Sequence, residues 1–343
     1  MRRSLIIGGV VLLLLALGAS LGLMRAWAAV NAPFGSAAAG YVLTIPAGQA
    51  FGKLVEKLAR DGILPEPRLT RWYARWEGLD QRVQAGEYLL DEDLTTRSLL
   101  DQLVAGQVIL HSLTVVEGST VRDLLAALRT HPAVSQTLSD DELADVTALI
   151  QMPDNYPEGW FFPDTYRFPR GTTDRELLQQ AHELMRSKLD AAWAGRADGL
   201  PLSSPYEALI LASVIERETA LASERPEIAG VFVRRLQKGM RLQTDPTVIY
   251  GIGPDFNGNL TRRDLATDTP YNTYTRGGLP PTPIALPGEG ALLAAVNPSP
   301  GDALYFVATG LPDGSHTFSV TLEEHNSAVA QYLRRLRSRK GGS

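Results

Sequence analysis

Between Ser4 and Met24 the chain carries no charged residue, and most of that stretch is Leu, Ile, Val, Gly or Ala. A helix over it is about 30 Å long at 1.5 Å per residue, the thickness of a bilayer's hydrocarbon core. The run therefore reads as one membrane span. Arg2, Arg3 and the amino terminus precede it and Arg25 follows closely, a bias that keeps the short N-terminus cytoplasmic and puts everything after Arg25 outside the cytoplasm. Ala26-Trp27-Ala28 resembles a signal-peptide cleavage site. The apolar run exceeds the roughly 7–15 residues of a cleaved signal, which favours a retained anchor.

Beyond the span, the 343 residues allow about two domains of ordinary size, each able to bury its own core. The sequence contains no Cys, which excludes a disulfide scaffold, a Cys₄ zinc module and a thiol enzyme. Lys and Arg number 33 against 38 Asp and Glu, without long basic runs, so no electrostatic footprint for nucleic acid is present. Neither a P-loop nor a G-x-S-x-G elbow occurs, and the five His never fall at the i,i+4 spacing of a helical zinc site. His316 and His325 read as structural. No cofactor and no metal is expected.

The organisation predicted is a cytoplasmic tip and anchor over 1–25, an Ala- and Gly-rich tether over 26–40, a small module over 41–110 and a larger domain over 111–343. Leu43–Leu58 (LTIPAGQAFGKLVEKL) and Leu113–Leu128 (LTVVEGSTVRDLLAAL) resemble each other and each read as strand, Gly turn, amphipathic helix. With a helical stretch from Pro67 to about Glu77, a strand at Gly86–Leu90 and a Thr95/Thr96-capped helix to Ala105, the small module takes the order strand, helix, helix, strand. That order resembles a LysM-like sugar-binding unit. After Leu113, helices are predicted near 120–130, 140–151, 174–196, 204–219, 224–238 and 289–296, with strands near 304–309 and 316–320. The larger domain is α+β.

Four stretches could carry chemistry. Ser204-Pro205-Tyr206-Glu207 opens a helix that ends in Glu216-Arg217-Glu218. At 100° per residue Glu218 falls on the apolar stripe of Leu211, Val214 and Ile215, whereas Glu216 lies about 160° away from it. A carboxyl on an apolar stripe near a helix C-terminus is pushed toward its protonated form, the state of a general acid. The alternative is a structural ion pair between Glu218 and Arg217 or Arg225. A second cluster places Gln243, Thr244 and Asp245 on consecutive loop positions, and a third places Tyr271, Asn272, Thr273 and Tyr274 on a Pro-rich loop. Amide, hydroxyl and phenol groups suit an uncharged polyhydroxylated ligand, although each loop taken singly favours an ordinary turn-forming role. The fourth, Tyr156–Phe168, is rich in aromatic residues around Glu158 and Asp164 and fits a cleft lining or a core.

Ala212–Arg225 (ASVIERETALASER), Met240–Gly251 (MRLQTDPTVIYG), Thr269–Pro281 (TPYNTYTRGGLPP) and Glu158–Tyr166 (EGWFFPDTY) together resemble the endolytic murein transglycosylase (YceG-like) family. The likeness runs the length of the chain, to His316–Asn326 (HTFSVTLEEHN). It implies an inner-membrane enzyme, its catalytic domain periplasmic, that cuts peptidoglycan glycan strands internally and so terminates their elongation. The family's catalytic Glu falls on Glu218, and Gln243, Asp245, Tyr271, Asn272 and Tyr274 would line the cleft. Peptidoglycan synthases or the elongation and division machinery become candidate protein partners. Phe162, Thr282 and Leu286 depart from the family pattern at the cleft rim. A hydrolase using Asp245 or Glu158 as a second carboxylate, and a non-catalytic glycan-binding scaffold, remain the competing readings.

Overall fold

Absence of charge and a surplus of helix formers make the N-terminal run a single helix, α1 (Arg2–Val30), whose stretch Ile7–Val30 is long and apolar enough to cross a membrane. The structure, a computed structural model, describes residues 2–46, 48–139, 141–150 and 156–340. Two compact units divide the chain: Met1–His111 with Arg167–Gly171, and Ser112–Tyr166 with Thr172–Ser343.

In the first unit, β1 (Val42–Ile45), α2 (Phe51–Arg60), α3 (Pro67–Trp76) and β2 (Gly86–Leu89) follow in order, with β1 and β2 antiparallel and Leu43 opposite Tyr88. Alternation along β1 turns Leu43 and Ile45 inward, onto Leu54, Val55 and Leu58 of α2. Leu99 and Leu103 of α4 (Thr96–Ala105) close the same core, and Thr95 caps that helix by accepting from the Ser98 amide. The predicted strand, helix, helix, strand order is therefore present.

The predicted tether is not loose chain. Residues 26–30 prolong α1, and residues 31–40 run along the 90–94 segment, with the amides of Phe34, Gly35 and Gly40 donating to the carbonyls of Leu94, Glu92 and Leu90 at 2.8, 2.9 and 3.1 Å. Ala38 is fully buried, and Phe34 and Tyr41 pack on the core. Small residues without periodicity looked like a linker, yet they let the chain lie close against its neighbour. Folded structure accordingly starts before Tyr41.

In chain order the remaining elements are β3 (Leu110–Thr114), α5 (Val121–Thr130), α6 (Glu142–Ile150), β4 (Thr165–Pro169), α7 (Asp174–Ala194), α8 (Pro205–Glu218), α9 (Arg225–Gln237), α10 (Asp245–Ile252), α11 (Arg262–Ala266), α12 (Glu289–Val296), β5 (Tyr305–Ala308), β6 (His316–Ser319) and α13 (Leu322–Lys340). The strands form two-stranded pairs, β3 with β4 and β5 with β6. The sequence pattern reaches most of these elements but misses β4, α10, α11 and α13. Asp140 and Gln151, at the ends of the helix predicted over 140–151, lie outside the described residues.

Helix α8 is the spine of the second unit. Every residue from Ala208 to Ile215 is buried, so over that length the helix has no solvent face. The predicted amphipathic stripe is thus a helix apolar all round, which is what a central helix requires. Helix α12 packs on it through Ala291, Leu292, Ala294, Ala295 and Val296, the alanines permitting close approach, and α7 and α9 complete the surround. Ser204 caps α8 by accepting from the Glu207 amide at 3.3 Å.

Candidate active site

The buried length of α8 ends in a charged triplet whose members diverge. Glu216 accepts from Arg225 Nη2 at 2.8 Å and from the Gly288 amide at 2.9 Å, and the same Arg225 atom reaches Glu117 at 3.0 Å. Arg217 Nη1 donates to the Gly118 carbonyl at 2.9 Å. Both cations that could have paired with Glu218 are engaged elsewhere, and the structural ion pair falls to Glu216.

Glu218, the last helical residue, receives a hydrogen bond on Oε1 from the Thr244 hydroxyl. Burial pushes its carboxyl up to about 7, the charge of Asp245 adds to the rise, and the Thr244 bond opposes it. A group so poised is about half protonated near pH 7 and can give its proton to a leaving oxygen.

The loop supplying Thr244 is held in a costly conformation. Gln243 has φ +53°, a left-handed value that costs a non-glycine residue about 1–2 kcal/mol. Arg235 of α9, only 7% exposed, offsets that cost: its Nη1 donates to the carbonyls of Arg241 and Leu242 at 3.0 and 2.9 Å and to Gln243 Oε1 at 3.3 Å. Sequence reasoning missed Arg235. Its one signal is an Arg standing three and four positions after Phe232 and Val231 on a core-facing helix.

From the second loop, Thr273 Oγ1 accepts from the Thr244 amide at 3.1 Å and the Thr273 carbonyl from the Gln243 amide at 3.2 Å. Asn272 is a correction to the expectation that it lines the cleft. At 1% exposure its Nδ2 is spent on the carbonyls of Asp264, Leu265 and Thr267, and its Oδ1 accepts from the Tyr274 amide at 2.8 Å. Thr244 and Thr273 are buried too, at 2% and 3%. Gln243 and Asp245 are exposed and Tyr271 and Tyr274 half-buried, so these four keep surface for a ligand. Asp245 opens α10 with Pro246 behind it and is not a mid-loop residue; its Oδ1 accepts from the Tyr274 hydroxyl at 2.6 Å.

Glu158 stands in a different wall. It is 5% exposed, accepts from the Val121 amide at the start of α5 and from the Tyr250 hydroxyl, each at 3.0 Å, and burial pushes its carboxyl up to about 7 against those two bonds. Gly159 behind it has φ +85°, and a Cβ there would meet Pro283 at 2.6 Å, which explains the glycine of the EGW motif. Glu158, Tyr250 and Tyr271 line a cleft of about 960 Å³ together with Arg122 and Arg217. Arg217 and Pro246 in that lining are the sequence neighbours of Glu218 and Asp245, although Glu218 itself is outside it. Tyr271 donates or accepts at 2.8 Å with Thr282, one of the rim departures, while Phe162 and Leu286 are buried. His316 contacts Glu224 through Nδ1 at 2.7 Å and His325 stacks on Tyr305. Among the described residues no group of three His, Asp or Glu side chains could hold a metal ion.

Residues 43–331 match the YceG-like family. The chain belongs to that family. A YceG-like protein of Listeria monocytogenes, known from a crystal structure, aligns with 84% of this chain and 98% of its own, at 28% identity and a TM-score of 0.52. The endolytic murein transglycosylase of Bacillus subtilis is 29% identical over 85% of this chain and 84% of its own length. The endolytic murein transglycosylase of Streptococcus pneumoniae serotype 2 is 27% identical over 84% of this chain, which spans 58% of that longer protein. The YceG-like match thus takes in the Glu218 helix, both loops that meet it and the Glu158 segment.

Proposed function

We propose that this YceG-like chain is a lytic transglycosylase that cleaves the β-1,4 bond between N-acetylmuramic acid and N-acetylglucosamine inside peptidoglycan glycan strands. The observation that carries the reading is the Glu218 carboxyl, pushed up to about 7 by burial at the end of α8 and oriented by Thr244, in a chain related to endolytic murein transglycosylases.

Glu218 donates its proton to the glycosidic oxygen as the bond from the muramyl anomeric carbon to that oxygen breaks. The C6 hydroxyl of the same sugar then attacks the anomeric carbon, and the Glu218 carboxylate takes the hydroxyl proton. The product is a 1,6-anhydro end, formed without water. One residue serves both steps, returning to its starting state. The Asp245 carboxylate faces the positive charge that develops at the anomeric carbon, and its own charge also raises Glu218. Gln243, Tyr271 and Tyr274 hold the sugars; Thr244, Asn272 and Thr273 act behind them by fixing the loops. Glu158 acts from the cleft wall by holding the start of α5 and the Tyr250 hydroxyl in place.

Helix α1 anchors the enzyme in the inner membrane with the N-terminus cytoplasmic and the catalytic unit periplasmic. The strand, helix, helix, strand module serves as a LysM-like contact to glycan, and cutting nascent strands terminates their elongation beside the synthases and the elongation or division machinery. Mass spectrometry of digested sacculi tests the chemistry: 1,6-anhydro-N-acetylmuramic ends on internal fragments are expected. Reducing ends carrying solvent ¹⁸O would make the chain a hydrolase with Asp245 or Glu158 as its second carboxylate, and intact strands would leave a binding scaffold.

A further inference from the structure

Helix α3 turns an unusual face to solvent. Arg68, Arg71, Trp72, Arg75 and Trp76 follow the i, i+3, i+4, i+7, i+8 spacing and are all exposed, confined at 100° per residue to an arc of about 140°. Trp72 and Trp76 are 52% and 70% exposed and stack on each other, ring centroids 5.6 Å apart and planes 15° from parallel. Thr70 and Ala74, on the opposite side, are the buried residues of the helix. Two ion pairs brush the basic side: Arg71 with Glu56 at 3.3 Å and Arg75 with Asp80 at 3.9 Å. Exposed pairs of this kind contribute little to stability and yield readily to a better partner.

The position of this face gives it meaning. Helix α1 packs against α3 and α4, and its last turns have Ala26 and Ala29 half-buried and Val30 buried, while Trp27 is 70% exposed. From Arg25 to Val30 the helix runs about 9 Å past the uncharged stretch. A headgroup layer is about 5–8 Å thick on each side of a bilayer. Helix α3, in contact with α1, is therefore near the point where α1 leaves hydrocarbon.

We propose that the Arg68–Trp76 face of α3, together with Trp27, lies in the phospholipid headgroup layer. Indole rings partition to that level because they have an apolar body and one N–H donor, and guanidinium groups chelate phosphate oxygens in pairs. A glycan strand could also stack on paired indoles. Three guanidinium groups on the same arc, continuous with the span, favour the phosphate-bearing surface over an uncharged sugar. The first unit is thereby attached at two places, the span and the helix, and is held flat on the bilayer instead of swinging from α1 alone.

This inference rests on reading α1 as a membrane span, and the test separates the two. Because the chain has no Cys, single Cys variants of the full chain can carry one environment-sensitive fluorophore, at Trp76→Cys, at Arg75→Cys as a second probe of the face, and at Leu13→Cys in α1. All three positions are exposed, so the cores stay intact. In vesicles of phosphatidylethanolamine and phosphatidylglycerol, the label at 76 or 75 should emit to the blue, lose most of its intensity to a nitroxide at the lipid glycerol level and resist aqueous iodide. The Leu13 label should respond to a nitroxide deep in the acyl chain. Iodide access at both 75 and 76 with Leu13 still in hydrocarbon overturns the placement of α3 and leaves the span standing. Iodide access at Leu13 overturns both. Protection at 76 that arises only when glycan strands are added assigns the face to sugar and overturns the proposal.

Discussion

Two glutamates two residues apart on α8 have different surroundings, and exchanging each for Gln should separate chemistry from stability. Glu218→Gln keeps volume but has no proton to transfer, so turnover on purified glycan strands should fall by at least the roughly 10²–10⁴-fold of general acid–base catalysis, with folding retained. Glu216→Gln breaks the buried contact to Arg225 and should cost about 3 kcal/mol in urea unfolding, with activity per folded molecule unchanged. Full activity in Glu218→Gln would sink the assignment. The same carboxyl sets a pH dependence. In the proposed mechanism catalysis starts from protonated Glu218, so kcat/KM should decline above about pH 7. Thr244→Val removes the bond that opposes the rise, so that decline should move to higher pH; a move downward would contradict the sign. In stability the effect runs the other way from an ordinary salt-bridged carboxylate. The unfolded chain ionises near the normal Glu value of about 4.3, the folded one only near 7, so the folded state loses ground as pH rises between those values. Replacing both Glu158 and Glu218 by Gln should flatten the unfolding free energy across that window.

At the scale of elements, the signals that were legible are local ones. Ser204-Pro205 with Glu207, Thr95 with Ser98 and Thr120 with Asp123 cap helices where the sequence pattern puts them, because a cap needs only residues three or four apart. The misses have one cause. Thr244-Asp245-Pro246 scans as a turn, yet with Pro near the helix start it opens α10, and only neighbours such as α8 decide between the two. Residues 31–40 scan as linker because their fixed partners, the carbonyls of 90–94, are some 55 positions away. A chain beginning at Ala37 loses Phe34 and the amides of Phe34 and Gly35. It should be about 3 kcal/mol less stable than one beginning at Asn31, counting a half-buried aromatic ring and two hydrogen bonds, measured by urea unfolding of the first unit. Equal stabilities would restore the tether.

For the whole molecule, the uncharged N-terminal helix and the family membership carry the functional reading together. In the proposed topology Arg2 and Arg3 keep the short end inside, so a reporter fused after Ser343 should be active outside the cytoplasm. Activity of that fusion only in the cytoplasm would remove access to peptidoglycan and, with it, the substrate.

Patterns of period and spacing were enough for the long apolar N-terminal helix and most of the other helices, because each depends on neighbours along one element; they also set Glu218 apart from Glu216. The reason for that choice was nonetheless supplied by folding: α8 has no polar face, so no stripe singles out Glu218, and the two carboxyls differ because Thr244 meets one and Arg225 with Gly288 meets the other. Asn272 as a staple, Arg235 as the clamp on Gln243, and Glu158 as the partner of Val121 and Tyr250 were likewise out of reach of the sequence. Their partners are carbonyls, amides and hydroxyls brought together from separate elements, and residue type alone cannot say whether an Asn, an Arg or a Glu spends its hydrogen bonds on the chain or keeps them for a ligand.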